Sequence, residues 1–170
     1  MSTYYLRPQL HMDHGINLVF DAQFQAVYLL DATHASHQIG GYYLLADMRG
    51  RELARIIQTS AGILPRFVLQ LNGVDMGAFT LTLAAIGDLV YIRRLNWLIS
   101  GNTLTNRYVI THNTQKLLGV KPTRRPDGIY LRLQVTNDDE APLHILIAAF
   151  LNRISIARLP NFQAKTLSTR

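Results

Sequence analysis

The sequence predicts a mainly β protein, a closed antiparallel barrel of about twelve strands around a central hydrophobic helix near the C-terminal end. Three observations lead there. Upstream of Asn137 the chain consists of short runs of β-forming residues joined by tight turns. From residue 143 to 151 every residue except His144 is apolar, so a helix drawn there has no polar face and must be enclosed. A meander of this length also exposes two unpaired edges unless it curls and closes, and a closed barrel needs a filling. The all-round apolar helix supplies it.

The predicted strands fall in order. Residues 4–9 open the series, and residues 16–20 and 25–30 flank the turn Asp21-Ala22-Gln23-Phe24. Residues 41–47 and 51–58 flank Met48-Arg49-Gly50, where glycine suits the left-handed position of a short hairpin loop. Residues 66–71 run into Asn72-Gly73, the strongest hairpin signal in the chain, and residues 74–83 return with plain period-2 alternation. Residues 89–93, 96–101, 106–111, 116–121 and 129–136 complete the set. In the last of these, Ile129, Leu131, Leu133 and Val135 share one face, and Tyr130, Arg132 and Gln134 the other.

The helix is predicted over about residues 139–157. Asn137, Asp138 and Asp139 can accept hydrogen bonds from the free N–H groups of a first turn, and their charge, with that of Glu140, suits its positive end. Pro142 is tolerated there because its missing N–H would have had no intrahelical partner. A bilayer span needs ~20 uninterrupted apolar residues. Asn152, Arg153 and Arg158 interrupt this run, which reads instead as a core helix. No segment qualifies as transmembrane, and the N-terminus lacks the apolar stretch of a signal peptide. One domain over residues 1–170, with a tail at 160–170, is the expected organisation.

Composition bounds the chemistry. Hydrophobic residues make up 48% and charged residues 16% of the chain, which argues for a dense interior and against disorder. The absence of cysteine excludes disulfides, zinc thiolate sites and thiol nucleophiles, and fits a cytoplasmic setting. The net charge of +6 favours polyanionic partners: nucleic acid, acidic lipid or phosphorylated small molecules. The excess is concentrated between residues 49 and 132, which hold twelve Lys and Arg against the four acids Glu52, Asp75, Asp88 and Asp127. A solvated basic surface that serves only solubility is the plainer explanation.

Candidate sites follow from the side chains. His11/His14 and His34/His37, with Asp13 or Asp31, have metal-like spacing, yet both pairs sit in polar turn-like surroundings and lack further converging ligands. They read as surface histidines. His144 reads as a core or barrel-mouth histidine. Ser60, Ser100 and Ser155 have no adjacent histidine, and no phosphate-binding glycine loop is present. Asp138, Asp139 and Glu140 read as helix capping rather than a carboxylate pair.

The basic residues carry more. Lys121, Arg124 and Arg125 are expected in an exposed loop bounded by Pro122 and Pro126, and Arg93 and Arg94 at a strand end. Arg55, Arg107 and Arg132 are expected on strands, pointing outward. Arg93, Arg94, Arg107, Lys121, Arg124, Arg125 and Arg132 together form the candidate anion-binding set, through bidentate guanidinium contacts if they converge. Nucleic acid is the less favoured partner. Tyr91, Trp97, Tyr108 and Tyr130 lie nearby for stacking, but strand aromatics commonly belong to the core.

Several stretches resemble the LURF-one-related, YxjI-like family of the Tubby C-terminal-like superfamily. Gly50-Arg51-Glu52-Leu53-Ala54-Arg55-Ile56 is similar to the family's turn and G-x-E-V-A-R-I strand. Leu95-Asn96-Trp97-Leu98-Ile99-Ser100-Gly101 is similar to its hydrophobic-x-G-(D/N) strand. Asp127-Gly128-Ile129-Tyr130, followed by Asn137-Asp138-Asp139-Glu140 and the apolar run, is similar to its acidic turn and C-terminal helix. The first hairpin departs, with Phe24 where the family's Asp-x-x-Gly turn has glycine. The resemblance implies a twelve-stranded barrel around a helix, no established reaction and no cofactor. Tubby-like relatives bind phosphoinositide headgroups through basic residues, and scramblase-like relatives associate with membranes. The expectation is therefore a non-enzymatic, cytoplasmic module, peripheral to a membrane, that binds anionic ligands such as lipid headgroups. A structural or protein-interaction domain, and a small-ligand carrier or enzyme using the barrel mouth, are the alternatives.

Overall fold

The computed structural model describes residues 1–8, 15–34, 38–62, 64–80 and 88–158. Twelve strands precede a terminal helix. They are β1 (Ser2–Leu6), β2 (Ile16–Phe20), β3 (Ala26–Asp31), β4 (Tyr42–Asp47), β5 (Glu52–Gln58) and β6 (Arg66–Leu71). β7 (Val74–Thr80), β8 (Asp88–Ile92), β9 (Trp97–Asn102), β10 (Arg107–His112), β11 (Gln115–Arg125) and β12 (Gly128–Val135) follow. A 3-10 turn, Asp138–Glu140, leads into α1, Ala141–Arg158.

Turn chemistry sets the hairpins. Asn72 and Gly73 take φ values of 49° and 78°, the left-handed pair that a two-residue hairpin needs. Between β4 and β5 the Asp47 carboxylate accepts from the backbone N–H groups of Arg49 and Arg51, both at 2.9 Å, which fixes that loop.

All strands join one antiparallel sheet in the order β7-β6-β5-β4-β3-β2-β1-β12-β11-β10-β9-β8. The one non-local pairing in that order is β1 with β12, from Ser2 opposite Val135 to Leu6 opposite Leu131. The outer members β7 and β8 meet at a single bridge, where the Arg93 N–H donates to the Ala78 carbonyl at 3.0 Å. The result is a nearly closed barrel. Gly77 lets the two edges approach, since a Cβ there would lie 2.5 Å from the Arg93 carbonyl oxygen.

Inward residues alternate with outward ones as the period-2 pattern requires: Tyr4 and Leu6 on β1, Leu69 on β6, Ile99 on β9, and Leu131, Leu133 and Val135 on β12 are all buried. Against them lies α1, whose residues 143–152 are buried on every side, His144 included. Phe150 packs edge-on against Tyr43 of β4, Phe67 of β6 and Phe79 of β7, at centroid distances of 5.2, 4.8 and 5.5 Å. His144 stacks on Trp97 of β9 at 4.6 Å, and the Tyr108 hydroxyl of β10 donates to the Ala148 carbonyl at 3.5 Å. A helix touched from β4, β6, β7, β9 and β10 is surrounded by the sheet.

Three expectations shift, and one lies beyond test. The helix entry is a 3-10 turn capped by Asn137, whose side chain accepts from the Asp139 N–H at 3.2 Å, and α1 proper starts at Ala141. β1 starts at Ser2 and ends at Leu6 rather than spanning 4–9. The predicted extension of β7 over 81–83 and the tail at 160–170 lie outside the described residues. The expected loop at Lys121–Pro126 is instead strand as far as Arg125, with Lys121 opposite Arg132, Pro122 opposite Leu131 and Arg125 opposite Gly128. β10 begins only at Arg107, beside Lys121, so beyond that point β11 is paired on one side alone. Pro122 therefore has no ladder partner to lose there.

Candidate anion-binding face

Burial of Val120, Leu131 and Leu133 turns Lys121 and Arg132, their chain neighbours, to the outer surface. Lys121 and Arg132 stand directly opposite one another, and Tyr5 of β1 continues the row. Arg107 of β10 lies one step beyond the Tyr108–Val120 pair, and so flanks Lys121 on its other side. Three cations thus occupy one cross-strand row on β10, β11 and β12. Directly opposed like charges destabilise a sheet. None of the three forms an ion pair with a described residue. Arg107 and Lys121 are exposed, whereas Arg132 is half-buried and its Nε is enclosed with no hydrogen-bond partner. Lys116 joins them from the next row: Gly119 leaves space that a Cβ would bring within 2.6 Å of the Lys116 Nζ.

Beside this row lies an aromatic cluster on the same outer surface. Tyr130 shares the outward register of Arg132 yet is only 1% exposed. Phe24 covers it edge-on at 5.1 Å and stacks flat on Phe20 at 4.6 Å. The Arg7 Nε donates to the Tyr130 hydroxyl at 2.9 Å, and that hydroxyl donates in turn to Asp127. This bond, with the contact from Arg7, holds the Asp127 carboxyl below the usual carboxylate range. Arg125 lies over the Phe24 ring at 4.2 Å and the Tyr5 ring at 5.1 Å, so its guanidinium is fixed at the border between cluster and cationic row. The price of this cover is a Phe24 backbone at φ 64°, a left-handed value ordinarily given to glycine.

The remaining candidates fall elsewhere. Arg124 is exposed at the β11–β12 hairpin opposite Ile129, itself 61% exposed. Arg93 and Arg94 occupy the β8–β9 connection, next to the Trp97–His112 end of the β9–β10 pair. Arg107 lies at the opposite, Asn102, end. The structure therefore brings Arg107, Lys121, Arg125 and Arg132 onto one face and leaves Arg93 and Arg94 apart from it. Arg55 points outward, but Glu52 pairs with it and it lies over the Tyr42 ring at 4.7 Å.

His34 stacks on that same Tyr42 ring at 4.8 Å, while His11, Asp13, His14 and His37 lie outside the described residues. No group of three metal-ligating side chains gathers among the described residues. His144 has no hydrogen-bond partner at either ring nitrogen, and burial pushes its pKa down to about 4. No helix among the described residues is long and apolar enough to cross a membrane.

Sequence reasoning missed the aromatic cluster and Arg7. The usable signal was Phe24 itself, an aromatic at a turn position where glycine is expected.

Comparison with known proteins bears on the fold alone. No family model matches the chain, and no curated protein matches it. Among solved structures, a protein of Arabidopsis thaliana superimposes with a TM-score of 0.58 at 11% identity, over 90% of each chain. The chain shares that protein's fold.

Proposed function

We propose that this barrel is a binding module for anionic lipid headgroups at a membrane surface, and that it works without catalysing a reaction. The observation that carries this reading is the row Arg107, Lys121 and Arg132, cations on neighbouring strands with no acid set against them. Adjacent strands are ~4.8 Å apart, so the row extends over ~10 Å, room for more than one phosphate. An anionic ligand relieves the mutual repulsion that the fold leaves in place. Arg125, held against Phe24 and Tyr5, adds a guanidinium that is already ordered before binding. On this reading the protein acts in the cytoplasm, peripheral to the membrane, and belongs to the LURF-one-related branch of the Tubby-like superfamily. The strand count and the enclosed helix support that placement.

Co-sedimentation with vesicles tests it. The protein is expected to pellet with phosphatidylserine-containing vesicles and to remain in solution with phosphatidylcholine alone, with binding that weakens from low to about 0.15 M salt. Reversing two exposed charges, Arg107→Glu with Lys121→Glu, is expected to lower the bound fraction by roughly tenfold or more, given ~1 kcal/mol per basic residue near such a surface. The melting temperature should not fall, because both side chains lack partners. Equal binding to neutral vesicles, or none to either, would overturn the proposal.

A further inference from the structure

The seam between β7 and β8 has its own chemistry, separate from the face described above. It contains a cavity of about 130 Å³ lined by Arg66, Ala78, Phe79, Thr80, Tyr91 and Arg93. These residues come from both sides of the opening. Arg66 of β6 stands opposite Thr80 of β7, while Tyr91 belongs to β8 and Arg93 follows it at the bridge to Ala78. Ala78 and Thr80 alternate with buried Gly77 and Phe79, and Tyr91 and Arg93 alternate with buried Ile92, so four of the lining side chains face outward together. The short Ala78 side chain leaves the hollow between them.

Its electrostatics are one-sided. Neither Arg66 nor Arg93 makes an ion pair with a described residue. The segment 81–87 that connects the two edges contains no Asp or Glu in its sequence. Two guanidinium groups and a threonine hydroxyl offer donors around a hollow of this size, and no carboxylate is among its lining residues. A tetrahedral oxyanion supplies the acceptors, and guanidinium is well shaped for it.

We propose that the seam is an anion site that takes a phosphate group, inorganic or on a small phosphorylated molecule, between Arg66 and Arg93, and so fastens the two edges of the barrel. The site has a built-in reporter, the Arg93 amide that donates to Ala78 across the opening. Exchange of that amide with deuterium measures how often the seam parts.

The experiment follows the Arg93 amide by NMR in inorganic phosphate and in chloride at equal ionic strength. At four times the half-saturating phosphate concentration, exchange is expected to slow about fivefold, because only the closed seam holds the ion. Arg66→Gln and Arg93→Gln should each remove the response, and Arg107→Glu with Lys121→Glu should keep it. Phenyl phosphate identifies the source: tighter binding than inorganic phosphate points to an organic ligand lying on Tyr91, equal binding to the free ion. Identical exchange in phosphate and chloride, or a response that survives both single substitutions, overturns the proposal. Either result leaves the vesicle experiment to be judged independently, since the two sites share no residue.

Discussion

At the scale of the residue, His144 sets an acid limit on stability. It is fully buried, stacked on Trp97, and without a hydrogen-bond partner at either nitrogen, so the folded protein disfavours the imidazolium. Unfolded, the side chain takes up a proton near pH 6.5, whereas folded it does so only near 4. Between these values the unfolded state binds more protons. The contribution of the neutral ring is therefore complete above pH 6.5, declines as pH falls, and is gone below about 4. The span corresponds to roughly 3 kcal/mol. Urea unfolding at pH 7 and pH 5 should show about 2 kcal/mol of this loss in the parent protein. His144→Leu, which keeps an apolar side chain of similar size, should show a smaller loss over the same interval. Equal acid sensitivity in both proteins would assign the effect to carboxylates elsewhere.

Among the elements, α1 shows how far the sequence could be followed. Nine residues with one polar interruption specify enclosure because no face of such a helix tolerates water, and the acidic turn ahead of it specifies a start. Strand positions were legible for the same reason, as alternation and turn residues act locally. What escaped the sequence depends on non-local packing. Pro122 reads as loop because proline breaks ladders, but its neighbour β10 stops short and leaves no ladder on that side. Alternation puts Tyr130 on the same strand face as Arg132, but only the fold shows that it is buried there, by Phe24 from a turn more than a hundred positions earlier in the chain. The cationic row was half legible. Spacing along a strand indicates the face, but only register shows that Arg132 stands opposite Lys121 while Arg93 lies at the far end. The helix also yields a sharp expectation. Ile147→Asp places a carboxylate at a fully buried position inside the sheet, at a cost that exceeds what a domain of this size can lose. Circular dichroism of that variant should show no cooperative melt. A folded, soluble variant would mean that α1 is not enclosed.

For the whole molecule, the sheet order joins the first strand to the twelfth and leaves the opening in the middle of the chain, between β7 and β8. Hairpins form locally, but closure through β1 and β12 brings together residues as distant as Ser2 and Val135. Such long loops are slow to close. Refolding from denaturant, followed by the fluorescence of Trp97 against His144, is expected in the millisecond-to-second range or slower, not in microseconds. Microsecond refolding would show that the β1–β12 register forms after the rate-limiting step. The same arrangement constrains biosynthesis. The inner wall of the barrel leaves the ribosome one hairpin at a time, and the helix that must fill it is translated after all twelve strands. At ~5–20 residues per second, the apolar face of the earliest strands waits seconds for its partner, a period in which a nascent chain depends on chaperones to remain unaggregated.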